Sequence, residues 1–294
     1  MKPLPEWTDA RMSWQTLIDA ASLDATLSDP LVAVIDCRFD LADPAAGERA
    51  WFEGHIPGAH YAHLDRDLSD LHRPGRGRHP LPDADAFCAV LERWDITPEH
   101  QVVAYDASGG TIAARLWWML RLFGHRRVAV LDGGLAAWTA HGGALERGAR
   151  KPGRGRYRAR FDSRSIVTTA VVAARLASGN GVLLDARVPE RFRGEVEPLD
   201  PRAGHIPGAV NSPFQNNLGL DGRFLPAEQL EVRYRALIRG QVPGDVVHMC
   251  GSGVTACHNL LAMEHAGLPG SRVYAGSWSE WVSVPSRPIA TGPA

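Results

Sequence analysis

Apolar positions fall in short runs separated by longer stretches of mixed character. The runs at 32–35, 102–105 and 128–131, and later at 182–184, 246–249 and 273–274, are rich in valine and hold almost no polar residue. Runs of that length with no alternation predict strands buried on both faces. Between them, the segments 84–94, 111–123, 171–177, 227–238 and 255–266 carry helix-forming residues with apolar positions at helical spacing. Strand–helix alternation predicts an α/β fold in which a parallel sheet carries helices on both faces.

The pattern is written twice. The string Gly-His-Ile-Pro-Gly-Ala starts at Gly54 and again at Gly204, and the strand endings at Asp36 and Asp185 correspond. So do those at Asp106 and Cys250, and the Gly133 and Gly276 turns, each followed by a tryptophan, Trp138 or Trp281. The displacements are 150, 149, 144 and 143 positions, in the same order along the chain. Slowly shrinking offsets mean a duplicated domain rather than a short-period array. The expected division is 1–146, a linker at 147–164 rich in Gly, Arg and Lys, and 165–294. Each half is long enough to bury its own core.

Composition narrows the function classes. A net charge of −1 over 294 residues gives no bulk field to attract nucleic acid or an anionic membrane. No stretch approaches the ~20 apolar residues of a membrane helix. Acidic residues within the first 20 positions argue against a secretory signal. Four cysteines (Cys37, Cys88, Cys250, Cys257) form neither a disulfide framework nor a CxxC zinc pair, which points to a reducing, cytoplasmic setting. Twelve histidines lie scattered without metal-ligand spacing, so no metal and no cofactor are expected.

The two halves differ most where chemistry is expected. The run 246–249 ends at Cys250, and Gly251-Ser252-Gly253 follows before helix formers begin near Thr255. Parallel sheets place ligand sites at the carboxyl ends of their strands. A Gly-Ser-Gly turn lets backbone N–H groups face inward, and the next helix aims its positive end at the same point. Both favour a thiolate, the nucleophilic form. A free cysteine in an apolar strand is usually a packing residue; the turn after this one reverses that reading. At the matching position the first half has Asp106, which cannot carry a sulfur, so that half is expected to be catalytically silent and to wall the cleft.

The loop Cys250-Gly251-Ser252-Gly253-Val254-Thr255, the repeated Gly-His-Ile-Pro-Gly-Ala and the closing Trp278-Ser279-Glu280-Trp281 resemble tandem-domain sulfurtransferases of the rhodanese superfamily, and within it the 3-mercaptopyruvate sulfurtransferases. The resemblance runs from about Trp14 to Trp281. It implies that Cys250 takes a sulfane sulfur from a small-molecule donor and passes it as a persulfide to cyanide, a dithiol or a thioredoxin-like acceptor. It makes Gly251, Gly253, Val254 and Thr255 part of the substrate loop. It also makes Arg191 a substrate arginine suited to clamp a carboxylate. Arg187 serves either the substrate or a buried salt bridge with Asp185 or Glu190. The family's second substrate arginine falls where this chain has Leu199-Asp200, and Arg202 is the nearest basic substitute.

Neutral Gly251 and Ser252 favour mercaptopyruvate over thiosulfate, whose preferring relatives carry basic residues there; a thiosulfate-preferring enzyme is the alternative. The resemblance further pairs Ser252 with a histidine and an aspartate of the first half. His55 matches by motif, with Asp43 the nearest acid, although His55 and His205 share a motif and so could share one structural task. The segment 77–82 is a further candidate for the cleft wall. Cys37, Cys88 and Cys257 are expected to pack. A cysteine phosphatase would need an arginine six positions after the nucleophile, where this chain has Ala256. A non-catalytic rhodanese-like sensing module would typically have lost Cys250. A monomer suffices, since two domains in one chain already make a cleft.

Overall fold

The structure, a computed structural model, describes residues 13–150, 153, 155–159, 161–178 and 181–293. Most of the N-terminal stretch used against a secretory signal lies outside the described residues, as do positions 151, 152, 154 and 160 of the linker. Among the described residues nine strands form: β1 (Leu17–Ile18), β2 (Val32–Asp36), β3 (His60–Tyr61), β4 (Gln101–Tyr105), β5 (Val128–Leu131), β6 (Val182–Asp185), β7 (Val210–Asn211), β8 (Val246–Met249) and β9 (Arg272–Val273). They build two parallel sheets, ordered β1-β5-β4-β2-β3 and β7-β6-β8-β9.

The six apolar runs appear as β2, β4, β5, β6, β8 and β9, each within a residue or so of its expected bounds. The expected helices also form, as Ala84–Arg93, Ala113–Leu122, Thr169–Ser178, Ala227–Ile238 and Thr255–His265. Strands β1, β3 and β7 escape a pattern reading because two residues have no period to detect. They are edge strands, fixed by pairing such as Leu17 with Val130 and Leu184 with Val210.

The described residues of the linker are exposed or half-buried except at one anchor. Tyr157 is 5% exposed; its hydroxyl bonds His125 Nδ1 (3.0 Å) and its N–H donates to Glu92 (3.1 Å). Gly153 N–H donates to the Arg93 carbonyl (2.7 Å). One aromatic within a basic run straps the segment along the first domain.

The sheets face each other through helices. Ala113–Leu122 is buried at every residue but Arg121 and packs against Thr255–His265. One apolar core runs through that contact into both domains. This joins the silent domain to the helix that follows the Cys250 loop. Among the described residues no helix is long and apolar enough to cross a membrane.

Buried histidines make this fold acid-sensitive. Burial pushes His60 and His258 down to about 4, and His79 and His248 down to about 3. Below the ordinary value of 6.5 the unfolded chain gains protons that the folded chain refuses, so stability is intact above pH 6.5 and lost as pH falls toward 4. Each such group costs on the order of 1 kcal/mol per pH unit in that window. The urea midpoint is therefore expected to drop sharply between pH 7 and pH 5; an unchanged midpoint would contradict this.

Candidate active site

Strand β8 aims Cys250 at the carboxyl edge of the second sheet, one residue beyond the Asp185–Met249 pair that closes its register with β6. Cys250 is 2% exposed. The loop is held from outside: Trp278 N–H donates to the Cys250 carbonyl (3.0 Å) and Ser279 N–H to that of Gly251 (2.9 Å). Inside the loop the Gly253 N–H donates to the Cys250 Sγ (3.1 Å). Gly253 has φ +80°, and a Cβ there would lie 2.2 Å from the Ala275 carbonyl oxygen, so only glycine fits. Ser277 also supports the loop. At φ +53° it holds a conformation costly for a side chain, and its Oγ accepts the Cys250 N–H (3.1 Å) while donating to Tyr274 O (2.8 Å).

The first domain shows what such a loop binds. Its equivalent residue, Asp106, accepts from the N–H groups of Ser108 (2.8 Å), Gly110 (2.9 Å), Ile112 (2.9 Å) and Ala113 (3.0 Å). The chain has supplied that nest with its own anion. In the second domain the same turn surrounds a thiol, a group that becomes anionic when it reacts.

A cavity of about 510 Å³ opens above Cys250, lined from both domains by residues that include His79, Ser108, Arg191, Ser252 and Thr255. Within it His79 Nδ1 lies 2.8 Å from Ser252 Oγ, and His79 Nε2 lies 3.4 Å from Asp65. Burial, reinforced by Arg115 and Arg78, holds His79 near 3, so its ring is neutral. Burial raises Asp65. The histidine and aspartate expected beside Ser252 are thus His79 and Asp65.

His55 and Asp43 stand elsewhere. His55 bonds the Trp51 carbonyl (2.7 Å), stacks on Trp51 and pairs its backbone with Glu146. His205 repeats this with the Phe192 carbonyl (2.8 Å), the Phe192 ring and Ala290. Both histidines tie a helix end to a later segment, which is why their motif occurs twice. Asp43 is exposed and pairs with Arg49. His79 lies in the 77–82 segment expected to wall the cleft. No spacing marks it, because its partner Ser252 is 173 positions away.

The arginines divide the same way. Arg187 borders the cavity, but its guanidinium is committed to Asp185 (2.7 Å), Glu197 (3.5 Å) and the Gly204 carbonyl (2.8 Å), and stacks on Trp278. Of the two readings left open by sequence, the buried salt bridge holds, with Asp185 and not Glu190 as partner. Arg202 does not substitute for a second substrate arginine, since it bonds the carbonyls of Pro285 and Arg287. A second guanidinium near the loop comes from the first domain. A Cβ on Gly251 would meet Arg78 Nη2 at 2.9 Å and Arg191 Nη1 at 3.4 Å. The loop itself is neutral, yet two cations stand over it.

Arg115 is the least expected charge. It is fully buried and donates to the carbonyls of Gly253 (3.1 Å), Leu68 (3.3 Å) and His79 (3.1 Å), with no carboxylate on it among the described residues. The sulfurs of Cys257 and Cys250 lie close to it. Burial pushes Cys257 up to about 12, so it remains a packed thiol. Cys37 is buried as well, and burial holds its thiol protonated. Among the described residues no group of three or more His, Cys, Asp or Glu could hold a metal.

Comparison with known proteins agrees with this geometry. The rhodanese-like domain family matches residues 19–141 and again 168–284. A Pseudomonas aeruginosa protein named "Probable 3-mercaptopyruvate sulfurtransferase" is 52% identical over 96% of this chain and 100% of its own length. The thiosulfate sulfurtransferase of Gallus gallus is 32% identical over 84% of this chain and 85% of its own length. The crystal structure of SseA from Escherichia coli, a 3-mercaptopyruvate sulfotransferase, superimposes with a TM-score of 0.77 at 32% identity, covering 91% of this chain and 100% of that one. A duplicated fold, a cysteine loop retained in one copy and matches across both halves lead to one conclusion: the chain belongs to the rhodanese family, as a tandem of two rhodanese-like domains most similar to the 3-mercaptopyruvate sulfurtransferases.

Proposed function

We propose that the chain moves a sulfane sulfur from 3-mercaptopyruvate, through a persulfide on Cys250, to a thiophilic acceptor such as cyanide, a dithiol or a thioredoxin-like protein. The observation that carries this reading is the contrast between the two loops: the turn whose N–H groups bind Asp106 in one domain carries Cys250 in the other, with the Gly253 N–H on its sulfur. The Cys250 thiolate attacks the donor sulfur, the carbon–sulfur bond breaks, and its electron pair passes to carbon as the enolate of pyruvate. The proton carried by the transferred sulfur returns to that carbon, leaving pyruvate and an anionic persulfide, with atoms and charge balanced. Ser252 lines the same cavity as Cys250 and lies against neutral His79, which can accept or return a proton through Nδ1 while Asp65 steadies Nε2. Arg191 and Arg78 offer donors for the substrate carboxylate.

A thiosulfate preference is the second reading, favoured by those same two guanidiniums, which would also hold a dianion. The two are separated by sulfur transfer to cyanide with each donor. The expected result is a kcat/KM for 3-mercaptopyruvate at least ~10-fold above that for thiosulfate, with Ser252→Ala lowering kcat for mercaptopyruvate by about 10- to 100-fold. A higher kcat/KM for thiosulfate would reverse the donor assignment. All four cysteines are free and both cleft walls come from one chain, which fits a monomer working in a reducing, cytoplasmic setting.

A further inference from the structure

A carboxylate stands with the two arginines above Gly251. Asp200, with a side chain 4% exposed, pairs with Arg78 through Oδ1 and with Arg191 through Oδ2 (3.4 Å). Its N–H donates to Glu197 (3.2 Å), which is 3% exposed and takes Arg191 (2.6 Å) and Arg187 (3.5 Å). Counting Asp185 on Arg187, three guanidiniums face three carboxylates, and the formal charge of the cluster is zero. Without Asp200 it would be +1.

That balance bears on which donor the cavity accepts. We propose that Asp200 is a specificity determinant: it offsets the arginine charge so that a singly charged α-keto acid is retained and a compact dianion is disfavoured. The inference rests on Cys250 being the sulfur carrier. Its physical basis is Coulombic. The attraction between site and donor grows with the product of their charges. One added positive charge therefore helps a dianion about twice as much, in free energy, as a monoanion. Asp200 also restrains both guanidiniums, one from each domain, so a purely structural role would be that of a strap across the cleft. A strap and a charge filter behave differently. Loss of a strap weakens every donor alike, whereas loss of a filter changes their ratio.

The test compares Asp200→Asn and Asp200→Glu with the wild type, using 3-mercaptopyruvate and thiosulfate as donors at low and high ionic strength. Asp200→Asn is expected to raise the thiosulfate-to-mercaptopyruvate ratio of kcat/KM by about 10-fold, mainly through KM, with the gain shrinking in salt. Asp200→Glu keeps the charge and should keep the wild-type ratio. Arg78→Gln, which removes the opposing charge, should move the ratio the other way and serves if Asp200→Asn does not fold. Protection of Cys250 from iodoacetamide by sulfate and by pyruvate reads the same seat without turnover. If transfer fails with both donors while protection by sulfate rises in Asp200→Asn, the sulfur-carrier reading falls and the charge filter stands. An unchanged ratio, with both donors weakened equally, overturns the filter and leaves a strap.

Discussion

Cys250→Ser is expected to abolish sulfur transfer, with kcat to cyanide falling at least ~10³-fold for any donor, while the fold and its thermal midpoint stay near those of the wild type. Serine is close in size and can accept the Gly253 N–H in place of the sulfur, and the loop backbone is also held by Trp278, Ser279 and Ser277. The hydroxyl is a poor nucleophile at neutral pH and cannot store a sulfane sulfur, so no bypass exists at that atom. Cys257 does not rescue it. Burial keeps its thiol protonated, and it donates to the Gly253 carbonyl (3.3 Å) inside the helix packing. Full activity in Cys250→Ser would remove the basis of the proposed mechanism.

Arg115→Met is expected to damage both stability and reactivity. The variant removes the arginine donor from three buried carbonyls, leaving Gly253 with the Cys257 thiol and Leu68 and His79 without that partner. At about 1 kcal/mol or more each, offset by relief from burying a charge, the loss in folding free energy should be about 2–4 kcal/mol by urea titration. The reactive consequence is separate. A buried cation with no carboxylate partner favours an anion nearby, and the Cys250 thiolate is the one that chemistry supplies. The rate of Cys250 alkylation at neutral pH should therefore fall by about 10-fold in Arg115→Met. Arg115→Lys keeps the charge but loses the fork, so it should recover most of the alkylation rate and little of the stability. An unchanged rate in Arg115→Met would reduce Arg115 to a structural role.

Much of the scaffold was legible in the sequence because its determinants are local. Uninterrupted valine-rich runs mark β2, β4, β5 and β8, and the shrinking offsets reveal the duplication. Cys250 could be singled out because the signal, a thiol followed by Gly-Ser-Gly after a strand, lies within a few residues. The rest of the site depends on distant partners. His79 meets Ser252 across 173 positions, and Arg78 meets Asp200 across 122. Neither pair leaves a pattern along the chain. The choice of His55 shows how a local motif can mislead. A histidine repeated in both domains does what both domains need, which is to bond a helix-end carbonyl, whereas the cysteine loop occurs in only one. Asp200 was read as a missing arginine, yet the fold places its carboxylate between two arginines brought from different domains.

The central claim is that Cys250 carries the transferred sulfur, and mass mapping of that residue tests it most directly. The enzyme is mixed with 3-mercaptopyruvate in the absence of acceptor, alkylated, digested and analysed peptide by peptide. The account predicts one added sulfur on the peptide containing Cys250, stoichiometric with the pyruvate released, and discharged when cyanide is supplied. Added sulfur on the Cys37, Cys88 or Cys257 peptide instead, or pyruvate release with no sulfur on any cysteine, would contradict it.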